Sequence, residues 1–290
     1  MATPAYLLIY NIVATLAIIC IYHGNRNTIL SSEMTSTLPK MKFCTSDSVP
    51  RVTGLLETAQ YLAFTNSSLL RFGDGEFELI FGYEVPFQKP DPELSRRLNQ
   101  AFTSQVPELD IAIPDLFNPS TALSNSILHF FYVTRHYEVK WLLKHVNLNR
   151  QYFAAHISSP YVSSIDNRCE LISHTYKYLR DIWKDKDIVI LRANNGQVYD
   201  YDVYDTARSQ TILYSIPRGT WAQYEELKSE LLKQDPNKLY ILAVGLISEI
   251  LVYDLAVAGR RALDMGHLAK DYDIFMKSGK DVDTFYLDWI

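Results

Sequence analysis

From residue 187 onward the chain alternates between two periodicities. Short apolar runs, "DIVILRA" (187–193), "TILYSIP" (211–217), "KLYILAVG" (238–245) and "RALDMG" (261–266), are separated in part by segments of helical spacing, "AQYEELKSELLKQ" and "ISEILVYDLAVAG". Apolar runs of that length suit strands buried on both faces, and the intervening helices are what cover those faces. Gly259 ends the second helical segment, as a residue that enters the left-handed region cheaply. The pattern predicts an α/β fold of three layers with a mainly parallel, Rossmann-like sheet. Earlier segments fit the same alternation. "RVTGLLETAQYLAFT" has helical spacing of Leu55, Leu56, Ala59, Tyr61 and Leu62, and "DPELSRRLNQAFTS" is a helix with Pro92 in its first turn. "SSLLRF", "LDIAIPDLF" and "YFAAHIS" read as strands, and Leu128, Phe131, Tyr132 and Trp141 of the aromatic stretch 121–147 read as core. No internal repeat is visible.

The chain has 290 residues, long enough for one large α/β domain or one domain with an appendage. Its 28 Lys and Arg against 33 acids, with no basic run interleaved with aromatics, argue against nucleic acid as a partner. "PAYLLIYNIVATLAIICIY" (Pro4–Tyr22) carries no charge and has tyrosines near both ends. Residues 1–22 are therefore expected to be a membrane anchor; a cleaved signal peptide is the rival, but it lacks a basic start and an Ala-x-Ala site. Residues 23–50 are rich in Ser and Thr and close on Pro50, which reads as a stem, leaving 51–290 as the functional domain. With Cys20 in the apolar segment, Cys44 and Cys169 are either a disulfide or free thiols, and "NSS" at Asn66 is a formal glycosylation acceptor.

Three clusters carry the chemistry. In "LLRFGDGEFELIFG" (69–82) a short strand runs into Gly73-Asp74-Gly75-Glu76, which places two carboxylates at the strand's carboxyl end, the edge where open α/β sheets bind ligands. Such a pair is a seat for Mg²⁺ or Mn²⁺ that leaves positions open for phosphates, and Arg71 adds a guanidinium fork. The bland alternative is a solvated turn with an Arg to Glu ion pair. The second cluster, "NNGQVYDYDVYDTARS", follows a strand and so is expected at the same edge. There Asp202 or Asp205 would serve as general base or hold a ribose, with Asp200 and Arg208 beside them, unless the loop holds only itself. In the third, Gly245 begins a strand-to-helix turn whose backbone N–H groups, with Ser248, suit a phosphate. His267, behind Gly266, would bind phosphate or relay a proton, or is simply packed. The signatures of P-loop enzymes, simple dinucleotide binders, serine hydrolases and zincins are absent.

"LLRFGDGEFELIFG" with "VPFQKPDPELSRRL", then "DVYDTARSQTILYSIPRGTWAQYEEL", then "LAVGLISEILVYDLAVAGRRALDMGHLAKDY" resemble, in order, the blocks of the glycosyltransferases with the GT-D fold, over about Leu69 to Phe275. The resemblance implies a Rossmann-like domain that moves a sugar from a nucleotide donor, with Asp74 and Glu76 as the divalent-metal and donor site. The catalytic set it suggests is Asp74, Glu76, Asp205 and His267, with Arg71, Gly73, Gly75, Asp202, Arg208, Gly245 and Ser248 binding the donor. Two departures stand out: "GLIS" where the family has Gly-Pro-Thr-Ala, and "SSPY" (158–161) where it has Thr-Arg-Pro-Tyr. The expected activity is transfer from a UDP-sugar or similar donor, with Mn²⁺ or Mg²⁺, to a glycan or glycoprotein acceptor. A non-catalytic glycan-binding or scaffold protein on the same fold is the alternative, and a metal-dependent phosphohydrolase lacks enough ligands. Anchor, stem and carboxyl-terminal domain together form the layout of single-pass Golgi enzymes, which predicts a lumen-facing type II protein. Arg26, Lys40 and Lys42 after the apolar segment favour the cytoplasmic face instead.

Overall fold

A computed structural model describes residues 49–118, 123–164 and 169–278. The expected anchor, nearly all of the expected stem, and Cys44 lie outside the described residues.

In chain order the elements are β1 (Arg51–Val52), α1 (Leu55–Phe64), β2 (Ser68–Arg71), α2 (Asp74–Ile80), α3 (Pro92–Phe102), β3 (Leu109–Ile113) and α4 (Asn125–His129). A π-helical turn, Phe130–Thr134, leads from α4 to α5 (His136–His145), and a 3₁₀ turn, Ala155–Ser158, follows β4 (Gln151–Ala154). Then come α6 (Cys169–Trp183), β5 (Asp187–Ala193), β6 (Ser209–Ser215), α7 (Tyr224–Lys233), β7 (Leu239–Ala243), α8 (Ser248–Val257), β8 (Ala262–Asp264) and α9 (Leu268–Ser278). The eight strands form one sheet in the order β1-β4-β3-β2-β8-β7-β5-β6. Every ladder is parallel. The earlier four strands make one half of the sheet and the later four the other, and the halves meet at β2 and β8 through the ladder pair Leu69↔Leu263.

Alternation along the strands builds the three layers. Leu70, Val189, Leu191, Tyr240 and Leu242 point to a core shared with α2, α3, α7 and α8. Their neighbours Leu69, Ile188, Ile190, Leu239 and Ile241 point to the opposite core, with α1, α6 and α9. Each such fully buried aliphatic side chain contributes about 2 kcal/mol. Phe72, Phe77, Phe102 and Trp141 pack ring on ring at 5.0–6.2 Å, so the aromatic stretch around Trp141 is core, as its spacing predicts.

The helix stops also follow the sequence. Asp91 caps α3 by accepting from the Glu93 and Leu94 N–H groups at 2.9 and 3.0 Å. Gly259 ends α8 at φ +74°, with its N–H on the Ala256 carbonyl.

Three readings change. Arg51–Val52, which reads as the approach to α1, is a short edge strand beside β4. Of the apolar residues expected inside α1, Tyr61 is exposed, because Leu55, Ala59 and Leu62 already fill the inward face. "TILYSIP" reads as buried on both sides, yet β6 is the sheet's last strand and exposes Ile212 and Tyr214.

Candidate active site

Gly73-Asp74-Gly75-Glu76 is the start of a helix, not an open turn. Gly73 is the N-cap of α2, Asp74 its first residue, and Glu76 folds back so that its Oε2 accepts the Gly73 N–H at 2.6 Å. Neither glycine is in the left-handed region. At Gly75 the chain passes close to a side chain instead: a Cβ there would lie 2.9 Å from Leu246 Cδ2, in the turn after β7. That leucine belongs to the "GLIS" departure, so the departure itself packs against the acidic pair. The Asp74 carboxylate makes no hydrogen bond or ion pair among the described residues. Burial, then the charges of Asp74 and Asp264, push Glu76 up to about 7 against the pull of the Gly73 N–H and Arg71.

Arg71 braces the floor of this edge. Its Nε donates to the Asp264 carbonyl at 3.0 Å and its Nη1 to the Ala155 carbonyl and Ser158 Oγ at 3.1 and 2.5 Å. Its Nη2 pairs with Asp264 Oδ2 at 2.9 Å. Three of its five N–H groups are thereby donated inside the protein, and the ion pair holds Nη2 beside Asp264. Ser158, in the "SSPY" departure, is the residue that takes one of them.

The other candidates divide by edge. Gly245, at φ +71°, and Ser248 stand at the carboxyl end of β7 beside α2. The Ser248 hydroxyl faces inward and accepts the Val244 N–H at 3.2 Å. His267 follows β8; a Cβ on Gly266 would lie 2.3 Å from Arg71 Nη2, so only glycine lets the brace pass. The imidazole keeps an exposed face, while enclosure by the surrounding protein, and then Arg71 and Lys270, push its pKa down to about 3.

The second acidic cluster is not where the sequence places it. No helix lies between β5 and β6, so the chain returns along the sheet to start β6 in parallel, and the acidic residues lie on that return. Asp202 accepts from the Tyr204 N–H and Gln210 Nε2, and Asp205 pairs with Arg180 of α6 at 2.5 Å. Arg208 pairs with Asp187, the first residue of β5, at the amino edge of the sheet, and Asp200 pairs with Lys277 of α9.

Two acids at the edge escape the sequence reading. Glu249, in the first turn of α8, is 2% exposed, and its Oε2 has no hydrogen-bond partner. Burial, then Glu76 and Asp264, raise its pKa well above the carboxylate range. A lone acid in the apolar run "ISEILV" was the available signal. Asp264 is 1% exposed and held by Arg71. Farther along the same edge, Asp115 after β3 lies 3.4 Å from His156 Nδ1, after β4.

No group of three His, Cys, Asp or Glu converges as a closed metal cage among the described residues. Asp74, together with Glu76 Oε1, forms an open set of hard oxygen donors, and the buried Glu249 carboxyl nearby stays protonated until a cation offsets its charge. That suits a divalent ion completed by water and phosphate oxygens, the habit of Mg²⁺ and Mn²⁺.

The model of the glycosyltransferase GT-D fold family matches residues 69–284. A protein of Streptococcus gordonii named a probable glycosyl transferase is 30% identical over 76% of this chain and 32% of its own length. The glycosyltransferase GlyD of Streptococcus pneumoniae is 26% identical over 79% of the chain and 28% of its length. The chain thus spans about a third of these curated relatives. A solved glycosyltransferase from Streptococcus sanguinis superposes with a TM-score of 0.72 at 28% identity, covering 79% of this chain and 86% of that one. Another solved domain, described as having a distinct glycosyltransferase fold, gives 0.73 at 26% identity over 80% and 83% of the two chains. The relatives are bacterial, and bacteria have no Golgi apparatus, so the expected Golgi placement is overturned. Among the described residues no helix is long and apolar enough to cross a membrane.

Proposed function

Because this chain belongs to the glycosyltransferase GT-D fold family, we propose that it moves a sugar from a nucleotide donor, in the first instance a UDP-sugar, to a hydroxyl of a glycan or glycoconjugate. The observation that carries the reading is the Asp74 and Glu76 pair at the start of α2, on the carboxyl edge where the two halves of the sheet meet. Those two side chains would hold Mn²⁺ or Mg²⁺, which when bound neutralises charge on the departing diphosphate. The acceptor oxygen forms a bond to the anomeric carbon as the bond from that carbon to the diphosphate breaks, and the hydroxyl proton passes to a base. His267, whose neutral imidazole has an exposed face at this edge, can accept a hydrogen bond from the acceptor hydroxyl and orient it, while a pKa so far below neutrality makes it a weak base. Arg71 keeps the ends of β2 and β8 together beneath the carboxylates, and the Gly73 N–H fixes the Glu76 rotamer. Asp205 and Arg208 have no part here, because both are paired elsewhere.

The test is nucleotide release from UDP-, GDP- and CMP-sugars with and without Mn²⁺. Release from a UDP-sugar that depends on the metal is expected. Asp74→Asn and Glu76→Gln should each lower it by about a hundredfold, roughly 2.7 kcal/mol, with unchanged circular dichroism, since Gln still accepts the Gly73 N–H. Full activity in either variant at unchanged metal dependence overturns the metal assignment. No release from any donor, with glycan binding retained, supports the binding-protein alternative.

A further inference from the structure

The amino edge of the sheet, at the other end of the strands from the acidic pair, holds a recess of about 430 Å³. Lys186, Lys238, Arg260 and Arg261 line it together with the exposed Glu108 and Asn66. Four cations to one acid is a local reversal in a chain that has more acids than bases overall. β7 enters this recess at Leu239 and ends at Ala243 toward the opposite edge, about 13 Å away by the strand's rise, so the two sites are separate.

Three of the four cations are held by hydrogen bonds, and none of the four has a carboxylate at ion-pair distance among the described residues. Arg261 Nε donates to the Ser67 carbonyl at 3.2 Å and Nη2 to the Leu62 carbonyl at 2.6 Å. No carboxylate pairs with it among the described residues, and its Nη1 remains unpartnered and open to solvent. The Lys186 ammonium has neither a hydrogen bond nor an ion pair among the described residues and is likewise unsealed. Lys238 Nζ donates to Thr211 Oγ1 at 3.1 Å. Arg260 is directed to the carbonyls of Leu231, Leu232 and Gln234 and to the Tyr240 hydroxyl, so it gives charge more than donors. Asp235, in the adjoining turn, has its Oδ1 engaged by the Asn237 backbone and amide. Burial lowers the Lys186 pKa, and the Arg261 charge lowers it further; burial alone brings Arg261 down to about 10. Like charges gathered in a recess whose one lining acid is the exposed Glu108, with Asp187 acting on Lys238 from outside it, oppose one another until an anion joins them.

We propose that this recess binds a phosphate-bearing anion, with Arg261 Nη1 and Lys186 Nζ donating to the phosphate oxygens and Lys238 and Arg260 adding charge. A guanidinium fixed by two carbonyls beside an ammonium without a partner among the described residues suits a tetrahedral oxyanion. The volume exceeds that of phosphate alone and falls within the range of small-molecule sites, so the ligand carries an organic group.

The test is calorimetric titration of the chain with orthophosphate and with phenyl phosphate, in EDTA at constant ionic strength so that the metal-dependent edge stays silent. Saturable binding is expected, tighter for phenyl phosphate. Lys186→Met should weaken it at least tenfold without lowering the melting temperature of the free protein, because one of two opposed charges is gone. Lys186→Arg should restore binding to within about threefold. If Lys186→Met does not fold, Lys238→Met replaces it with the same expected direction. Sedimentation with phosphatidate-containing vesicles that the Met variant loses places the phosphate on a lipid, whereas binding in solution alone places it on a free small molecule. Absence of saturable binding, or equal binding by wild type and the Met variants, overturns the proposal.

Discussion

Glu138 shows how much a single carboxyl at this edge depends on its surroundings. It lies in the first turn of α5 at 1% exposure, and neither oxygen has a hydrogen-bond partner. The nearest cation is Arg135 Nε at 3.8 Å, and that guanidinium already pairs with Glu78. Burial first, then the charges of Asp74 and Glu78, push Glu138 up to about 8. The folded pKa is above the unfolded one, so the folded state holds the extra proton, and its stabilising effect is lost as pH rises from about 4.5 through 8. Glu138→Gln keeps the volume and cannot ionise. In urea unfolding with EDTA present it should gain roughly 1–3 kcal/mol at pH 9 and almost nothing at pH 5. Parallel pH profiles for the two proteins would show that the carboxyl is hydrated. Nothing in "RHYEVKW" marks this residue, because its burial comes from α5 packing near α2, a contact between segments sixty residues apart. The position of the Asp74 and Glu76 pair was legible because its signal is local: two acids with a glycine before each, at a strand end.

Among elements, the joint between β2, β8 and the turn after β4 rests on Arg71. Gly266→Ala would drive a Cβ against Arg71 Nη2 at φ +30°, and four committed contacts keep that guanidinium from yielding. Gly75→Ala meets only the tip of Leu246, which can rotate. Urea unfolding should therefore show a loss of roughly 2–4 kcal/mol for Gly266→Ala and under about 1 for Gly75→Ala. Equal small losses would mean that the brace moves freely. Elements with their own end signals were readable in advance: Asp91-Pro92 starts α3 and Gly259 ends α8. α2 was missed because a seven-residue helix opening on Gly-Asp-Gly looks like a turn. The acidic return between β5 and β6 was misplaced because sequence shows that residues follow a strand, not how far they run before the next strand begins.

At the scale of the whole molecule, the two cores that cover the sheet and its eight strands are, among the described residues, built within 49–278. A fragment of residues 49–290 is therefore expected to unfold in one cooperative calorimetric transition, and two separable transitions would show that the halves of the sheet are independent units. The seam between those halves also bears on how the chain reaches this state. The Arg71 bond to the Asp264 carbonyl spans 193 positions, and the ladder beside it is the single pair Leu69↔Leu263. Closing so long a loop carries its entropic cost before few local contacts offset it, so strands close in sequence zip first and this junction forms late. The acidic pair lies on that junction. A refolding chain would then recover its helices and much of its sheet before it has any place for a donor, and the competence to bind one would be among the last properties to return.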